Sequence, residues 1–175
     1  EEFLSRKCSK LLDPLAKQLS EHVKWFKLKT DFLDNNNKYP VAIIGKGNPI
    51  LLLHGFDSSF LEFRRLVPYL SKTHKLIIPD MFGFGFCPRP KDSEYGLIKI
   101  LEHLVELVKT IEPKRNIGII GASMGGGVAI EFSKIETSRI NKMLLLSPAG
   151  ITEKKKKVPK PFDKLGVWIL KQNYV

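Results

Sequence analysis

The chain has 175 residues, 43% of them hydrophobic, and 29 Lys and Arg against 18 Asp and Glu give it a formal charge of +11. That length and apolar content suit one domain with a real core, and no apolar run reaches the roughly 18 residues a membrane span needs. The charge is scattered lysine rather than a basic stripe interleaved with aromatics, and no nucleic-acid motif accompanies it, which argues against a nucleic-acid partner.

Cys8 and Cys87 have no paired spacing and no His or Cys cluster beside them, so neither a disulfide framework nor a metal site is expected. The N-terminus lacks the short apolar core of a signal peptide, and a cytoplasmic location is the expectation.

Leu4, Cys8, Leu11, Leu15 and Leu19 recur at helical spacing, interrupted at Asp13-Pro14, where Asp can cap and Pro can start a new helix. Two short amphipathic helices are expected over residues 2 to 26, forming a helical extension over 1–30. Its basic outer face leaves room for peripheral membrane contact, with packing onto the domain the commoner fate. Lys27 to Asp31 reads as a strand and Asp34-Asn35-Asn36-Asn37 as a turn.

A regular alternation follows. Val41 to Gly45 is a strand, Gly47-Asn48-Pro49 a turn, Ile50 to Leu53 a buried strand, and Ser59 to Ser71 a helix with Phe60, Phe63, Val67 and Leu70 on one face. Lys75 to Pro79 is a strand, and Asp80 to Asp92 an irregular Gly/Pro-rich loop. Leu97, Leu101, Leu104, Val108 and Ile111 mark a helix that ends at Glu112-Pro113 and leaves His103 beside the apolar stripe, facing solvent.

Asn116 to Gly121 is a strand, Met124 to about Ile135 a helix, and Ile140 to Ser147 a strand. Strands alternating with helices predict an α/β fold with a mostly parallel sheet covered on both faces. The core is expected over 31–148. From 149 to 175 the composition shifts to the Lys154 to Lys157 run, a Pro159-Lys160-Pro161 hinge and an amphipathic segment with Phe162, Leu165, Trp168 and Ile169, read as the start of a cap.

Gly121-Ala122-Ser123-Met124-Gly125 satisfies G-x-S-x-G with a strand before it and a helix after it, the context that pattern requires. A sharp strand-to-helix turn lifts the serine into a strained conformation, and side chains at Gly121 and Gly125 would collide with backbone. At the first helical turn the Met124 N–H is free to donate, and the helix dipole favours negative charge nearby. Leu51-Leu52-Leu53-His54-Gly55-Phe56 provides a second donor, the Phe56 N–H, from the loop after a buried strand. The competing reading, a glycine-rich turn that binds phosphate at a helix N-terminus, lacks the Lys-Ser/Thr ending of a P-loop and the G-x-G-x-x-G spacing.

At three places the sequence resembles the serine-dependent α/β-hydrolase superfamily: Gly47 to Gly55 (GNPILLLHG), Asp80 to Gly85 (DMFGFG) and Gly121 to Gly126 (GASMGG), in order and in register over roughly residues 40 to 150. The resemblance implies Ser123 as nucleophile, Phe56 and Met124 as oxyanion donors, His54 as a structural hydrogen-bonding residue, a small-molecule substrate and no cofactor. Phe86-Cys87 departs from the serine many relatives carry after the second glycine, a change expected to affect packing. Serine rather than aspartate at 123 argues against the epoxide-hydrolase and haloalkane-dehalogenase branches.

The family order is Ser, acid, His, and no histidine follows Ser123. His22, His54, His74 and His103 all precede it, and neither Asp57, Asp80, Glu131 and Glu136 nor Glu153 and Asp163 is well placed as the acid. The expectation is a truncated fold, incomplete at its C-terminus, that holds nucleophile and oxyanion donors without acid and base and is inactive as given. Ester-like hydrolysis through an acyl-serine leads. A non-catalytic binding module that keeps the fold, and acyltransferase or haloperoxidase chemistry, remain alternatives.

Overall fold

A computed structural model describes residues 2–29 and 37–150. Their helices are α1 (Glu2–Cys8), α2 (Pro14–Ser20), α3 (Val67–Leu70), α4 (Leu97–Ile111) and α5 (Met124–Ile135), with a 3-10 helix at Phe60–Arg65. The strands are β1 (Val23–Phe26), β2 (Tyr39–Ile44), β3 (Asn48–Leu53), β4 (His74–Pro79), β5 (Ile117–Ala122) and β6 (Ile140–Leu146). They form one sheet in the order β1-β2-β4-β3-β5-β6. The pairs β4–β3, β3–β5 and β5–β6 are parallel, whereas β1–β2 and β2–β4 are antiparallel.

Side chains alternate across a strand, so adjacent apolar residues serve opposite faces. Leu51, Leu53, Ile77, Ile117 and Ile119 pack with Leu104, Leu107 and Val108 of α4 and Val128 and Phe132 of α5. Leu52, Leu76, Ile78 and Ile120 face the other way, onto Phe60, Phe63, Val67 and the N-terminal Leu4, Cys8 and Leu19. The run Leu51-Leu52-Leu53 is apolar throughout because both faces of its strand are covered. The N-terminal helices therefore pack on the sheet, and Asp13 fixes them there: its side chain accepts from Leu15 N–H at 2.9 Å, capping α2, and pairs with Arg64 at 2.6 Å.

Several expectations change. The helical reading of residues 2 to 26 holds only to Ser20; Val23–Phe26 pair with β2 instead, because a β-branched residue and two aromatics in four positions suit a pleated surface. Residues 27–29 carry no strand, and the remainder of that expected strand, with the turn at Asp34 to Asn36, lies outside the described residues. Asn48 and Pro49 belong to β3 rather than to a turn. The single helix expected from Ser59 to Ser71 is a 3-10 helix followed by a four-residue α-helix, divided at Leu66, with Pro68, which supplies no N–H, in the first turn of the second. The lysine run, the hinge and the cap segment, with Glu153 and Asp163, lie outside the described residues.

At the amino end of the parallel strands, Glu112 bonds Lys75 at 2.8 Å and Arg115 through both carboxylate oxygens at 2.7 Å. Arg115 ahead of Lys75 holds the Glu112 carboxyl down at about 2. Arg139 donates to the Glu112 carbonyl, so the end of α4 is tied to the start of β6. The carboxyl end of the sheet is left to the loops. Leu144 and Leu146 of β6 are exposed on one face, while Met143 and Leu145 pack inward.

Candidate active site

The register of β3, β5 and β6 brings the sequence motifs together. Leu53 stands beside Gly121, and Gly121 beside Leu145, so the chain leaving β3 as His54-Gly55-Phe56 runs next to the chain leaving β5 as Ala122-Ser123. Ser123 is exposed, with φ 49° and ψ −116°. Its N–H donates to Leu146 O at 2.9 Å, and its carbonyl accepts from Gly126 N–H at 3.0 Å, Gly127 N–H at 3.3 Å and Ala149 N–H at 2.8 Å. The turn is held by its backbone, and among the described residues nothing hydrogen-bonds the hydroxyl. Met124 is the first residue of α5, so its N–H has no acceptor within the helix.

The two outer glycines of the motif sit where no side chain fits. A Cβ on Gly121 would stand 2.5 Å from Gly125 O, and one on Gly125 would run into Leu53 O and lie 2.5 Å from His54 O. The elbow is thus packed against the end of β3, which fixes the distance between the two loops.

His54 is fully buried and both ring nitrogens are engaged. Nδ1 lies 2.8 Å from Gly55 O, and Nε2 accepts from Met81 N–H at 3.0 Å. A carbonyl only accepts and an N–H only donates, so the ring is the neutral Nδ1–H tautomer. Burial also lowers its pKa. Every peptide bond here is trans, so turning Gly55 C=O toward His54 turns Phe56 N–H the opposite way. On its other side the loop is held by Glu62, whose Oε2 accepts from Gly55 N–H at 2.8 Å. Glu62 was not singled out from the sequence; the bond spans seven residues and follows no motif.

Asp80 is the second unforeseen anchor. An Asp among turn residues ordinarily bonds its own neighbouring backbone, but this fully buried carboxylate accepts from Phe60 N–H and Phe86 N–H, each at 2.6 Å, and so joins the 3-10 helix to the Gly-rich loop. Cys87 Sγ donates to Asp80 O at 3.2 Å. Cys8 and Cys87 are both free and buried.

The remaining histidines lie elsewhere. His74 begins β4, at the amino end of the parallel strands, and shares a hydrogen with the Thr73 hydroxyl. His22 follows α2 and bonds Ile43 N–H through its carbonyl. The solvent-facing position expected for His103 is wrong: the ring is fully buried, 5.1 Å from Tyr39 and 6.2 Å from Phe82 between ring centres. Residues 100, 103, 104, 107 and 108 of α4 make one buried stripe, and the i+3 position of an i, i+3, i+4 pattern belongs to the core whatever its polarity. Among the described residues no imidazole bonds the Ser123 hydroxyl, and no group of three or more His, Cys, Asp or Glu could hold a metal ion.

Among the aromatics beside these loops, Phe84 is core, wedged edge-on between His54 and Phe56, and Phe86 packs on Phe60. Phe56 alone of these is half exposed. An apolar groove of about 480 Å³ opens beside the start of α5, lined by Leu97, Met124, Gly127, Val128, Ala149 and Gly150.

The backbone strain is concentrated in one place. Among the described residues the non-glycines with positive φ are Asp57 at 51°, Ser123 at 49° and Ser147 at 45°, each just beyond the carboxyl end of β3, β5 or β6, the edge where α/β sheets bind their ligands. The family model for the alpha/beta hydrolase fold matches residues 48–172. The chain belongs to the alpha/beta hydrolase family. It is 31% identical over 112 residues to the 2-hydroxy-6-oxo-2,4-heptadienoate hydrolase of Pseudomonas putida, covering 62% of this chain and 40% of that one. It is 28% identical to the alpha/beta hydrolase domain-containing protein VTE7 of Arabidopsis thaliana, over 97% of this chain and 54% of that one. The meta-cleavage product hydrolase CumD of Pseudomonas fluorescens IP01 superposes with a TM-score of 0.62 and 30% identity, over 71% of this chain and 46% of that one. The chain spans 40% or less of the length of the first curated relatives it matches. Among its described residues no helix is long and apolar enough to cross a membrane.

Proposed function

We propose that this alpha/beta hydrolase cleaves an ester-like or related carbonyl bond of a small molecule through Ser123. The observation that carries the reading is the exposed, positive-φ Ser123 at the first turn of α5, with the Gly55 loop packed beside it. In the reaction Oγ attacks the substrate carbonyl carbon while its proton passes to an imidazole base. The oxyanion that forms is held by the N–H groups of Phe56 and Met124, and such donors contribute about 3 kcal/mol each. Collapse breaks the bond to the leaving group, which takes the proton from the imidazolium, and water then releases the acid from the acyl-serine.

The base must come from outside the residues packed around Ser123, since His54 is committed through both nitrogens and His22, His74 and His103 lie elsewhere. Hydrolases acting on 2-hydroxymuconate semialdehyde, and a lipase, stand among the relatives, and a carbonyl next to the scissile bond is the feature an oxyanion hole recognises.

The test is covalent labelling of the complete protein by a fluorophosphonate. Labelling at Ser123, lost in Ser123→Ala, is the expected result. A folded complete protein that stays unlabelled favours instead a binding module that has kept the hydrolase fold.

A further inference from the structure

Glu62 stands beside the proposed nucleophile and takes no part in the chemistry described so far. Its carboxylate oxygen Oε2 accepts from Gly55 N–H at 2.8 Å. The point where a Cβ on Gly55 would stand lies 3.5 Å from that oxygen and 3.6 Å from Ser123 Cβ. The carboxylate and the serine therefore flank the same glycine. Glu62 is only partly buried, and no cation among the described residues pairs with it: Arg64, two positions on, is turned to Asp13, and its other bond goes to Leu61 O.

Two physical consequences follow from that placement. The first concerns position. Gly55 is held at its carbonyl by His54 and at its N–H by Glu62, so both peptide planes around the glycine are fixed, and with them the direction of Phe56 N–H. The Glu62 bond is charge-assisted, hence shorter and stronger than a neutral one. The second concerns charge. A carboxylate without a counter-ion at the rim of an acyl site repels a second negative charge brought to the same place, and at such separations in a partly desolvated site the repulsion is worth about a tenfold change in rate or more.

We infer that Glu62 is a positioning and specificity-determining residue of this site, pinning the oxyanion loop through Gly55 and selecting substrates whose acyl end, next to the reacting carbonyl, is uncharged. The inference rests on the Ser123 reading and adds a substrate class to it: neutral acyl groups over carboxylate-bearing ones.

The experiment compares labelling rates at Ser123 in the complete protein for two fluorophosphonates of equal length, one with a plain alkyl chain and one with a carboxylate close to phosphorus. The wild-type protein is expected to prefer the neutral probe by at least about tenfold in dilute buffer, and the preference is expected to shrink at about 0.5 M salt. Glu62→Gln keeps an acceptor for Gly55 N–H and loses the charge, so the preference falls by about tenfold. Glu62→Ala loses both, so the preference falls and labelling by either probe slows. A purely structural glutamate would change the two rates together and leave their ratio and its salt dependence alone. Wild-type protein labelled at Ser123 with no salt-dependent preference, or with the same preference in Glu62→Gln, overturns the assignment of Glu62. Protein labelled by neither probe overturns the nucleophile reading beneath it.

Discussion

Gly85 lies against Asp80 so closely that a Cβ on the glycine would stand 2.6 Å from Oδ1, with the carboxyl carbon nearer still. The glycine also has φ 55°, where an L side chain is strained by about 1–2 kcal/mol. Gly85→Ala must therefore push the carboxylate off the N–H groups of Phe60 and Phe86 or distort the loop. A loss of about 3 kcal/mol is expected, seen as a lowered midpoint in thermal unfolding. Gly96→Ala is the control, since a Cβ there meets nothing within 4 Å, and it should leave the midpoint within the range of an ordinary surface change.

Asp80 itself imposes a pH dependence. Burial pushes its carboxyl from 3.8 up to about 7, against the opposing pull of the Phe86 and Phe60 N–H donors and the Arg89 charge. The folded protein then binds a proton that the unfolded chain has released, so this contribution to stability is complete below the ordinary carboxylate range and is lost as pH rises through about 7. Asp80→Asn stays neutral but turns an amide N–H2 toward one of the two donors, at a cost of about 2 kcal/mol. Urea unfolding should find the variant less stable at pH 5 and the gap closed or reversed at pH 8, because the wild type alone loses about 1.4 kcal/mol per pH unit between 5 and 7. A gap that stays the same at the two pH values would mean the carboxylate is ionised throughout.

His103 pulls the other way. Desolvation lowers its pKa to about 3, and both ring nitrogens lack hydrogen-bond partners among the described residues. The unfolded chain takes up a proton near 6.5 that the folded one refuses, so stability falls as pH drops from about 6.5 toward 3. His103→Leu, of similar volume between Tyr39 and Phe82, removes a buried polar group that nothing satisfies. It should gain about 1 kcal/mol at neutral pH and more at pH 4.5, flattening the acid limb of the stability curve.

What the sequence disclosed, and what it hid, divides along the range of the interactions. The elbow at Gly121 to Gly125 is local: five residues with a strand before and a helix after define the bend, and the alternation over residues 41 to 146 foretells the sheet. Leu51-Leu52-Leu53 announces burial on both faces. The hidden parts depend on partners far along the chain. Val23–Phe26 is strand only because β2 lies beside it, and His103 is core only because the stripe of α4 meets the sheet at that position. Asp80 reaches back 20 residues to Phe60. Glu62 reaches back seven, to a backbone N–H that any residue could have offered.

The Gly55 loop, proposed to carry an oxyanion donor, allows architecture to be separated from protonation. His54 works as a neutral ring, Nδ1–H to Gly55 O and Nε2 from Met81 N–H, and a protonated ring would set two hydrogens against each other at Met81. Desolvation opposes that protonation and lowers the pKa below its ordinary 6.5. The labelling rate of Ser123 should therefore carry no inflection from His54 near pH 6.5, and any step there belongs to the catalytic base. Removing the ring is another matter. His54→Leu leaves Gly55 O and Met81 N–H unpaired in the core and frees the peptide that carries the Phe56 N–H, so labelling should slow by about a hundredfold, with helix and strand content retained by circular dichroism. If His54→Leu labels at the wild-type rate, the Phe56 N–H does not hold the oxyanion, and the second donor must be sought on another loop.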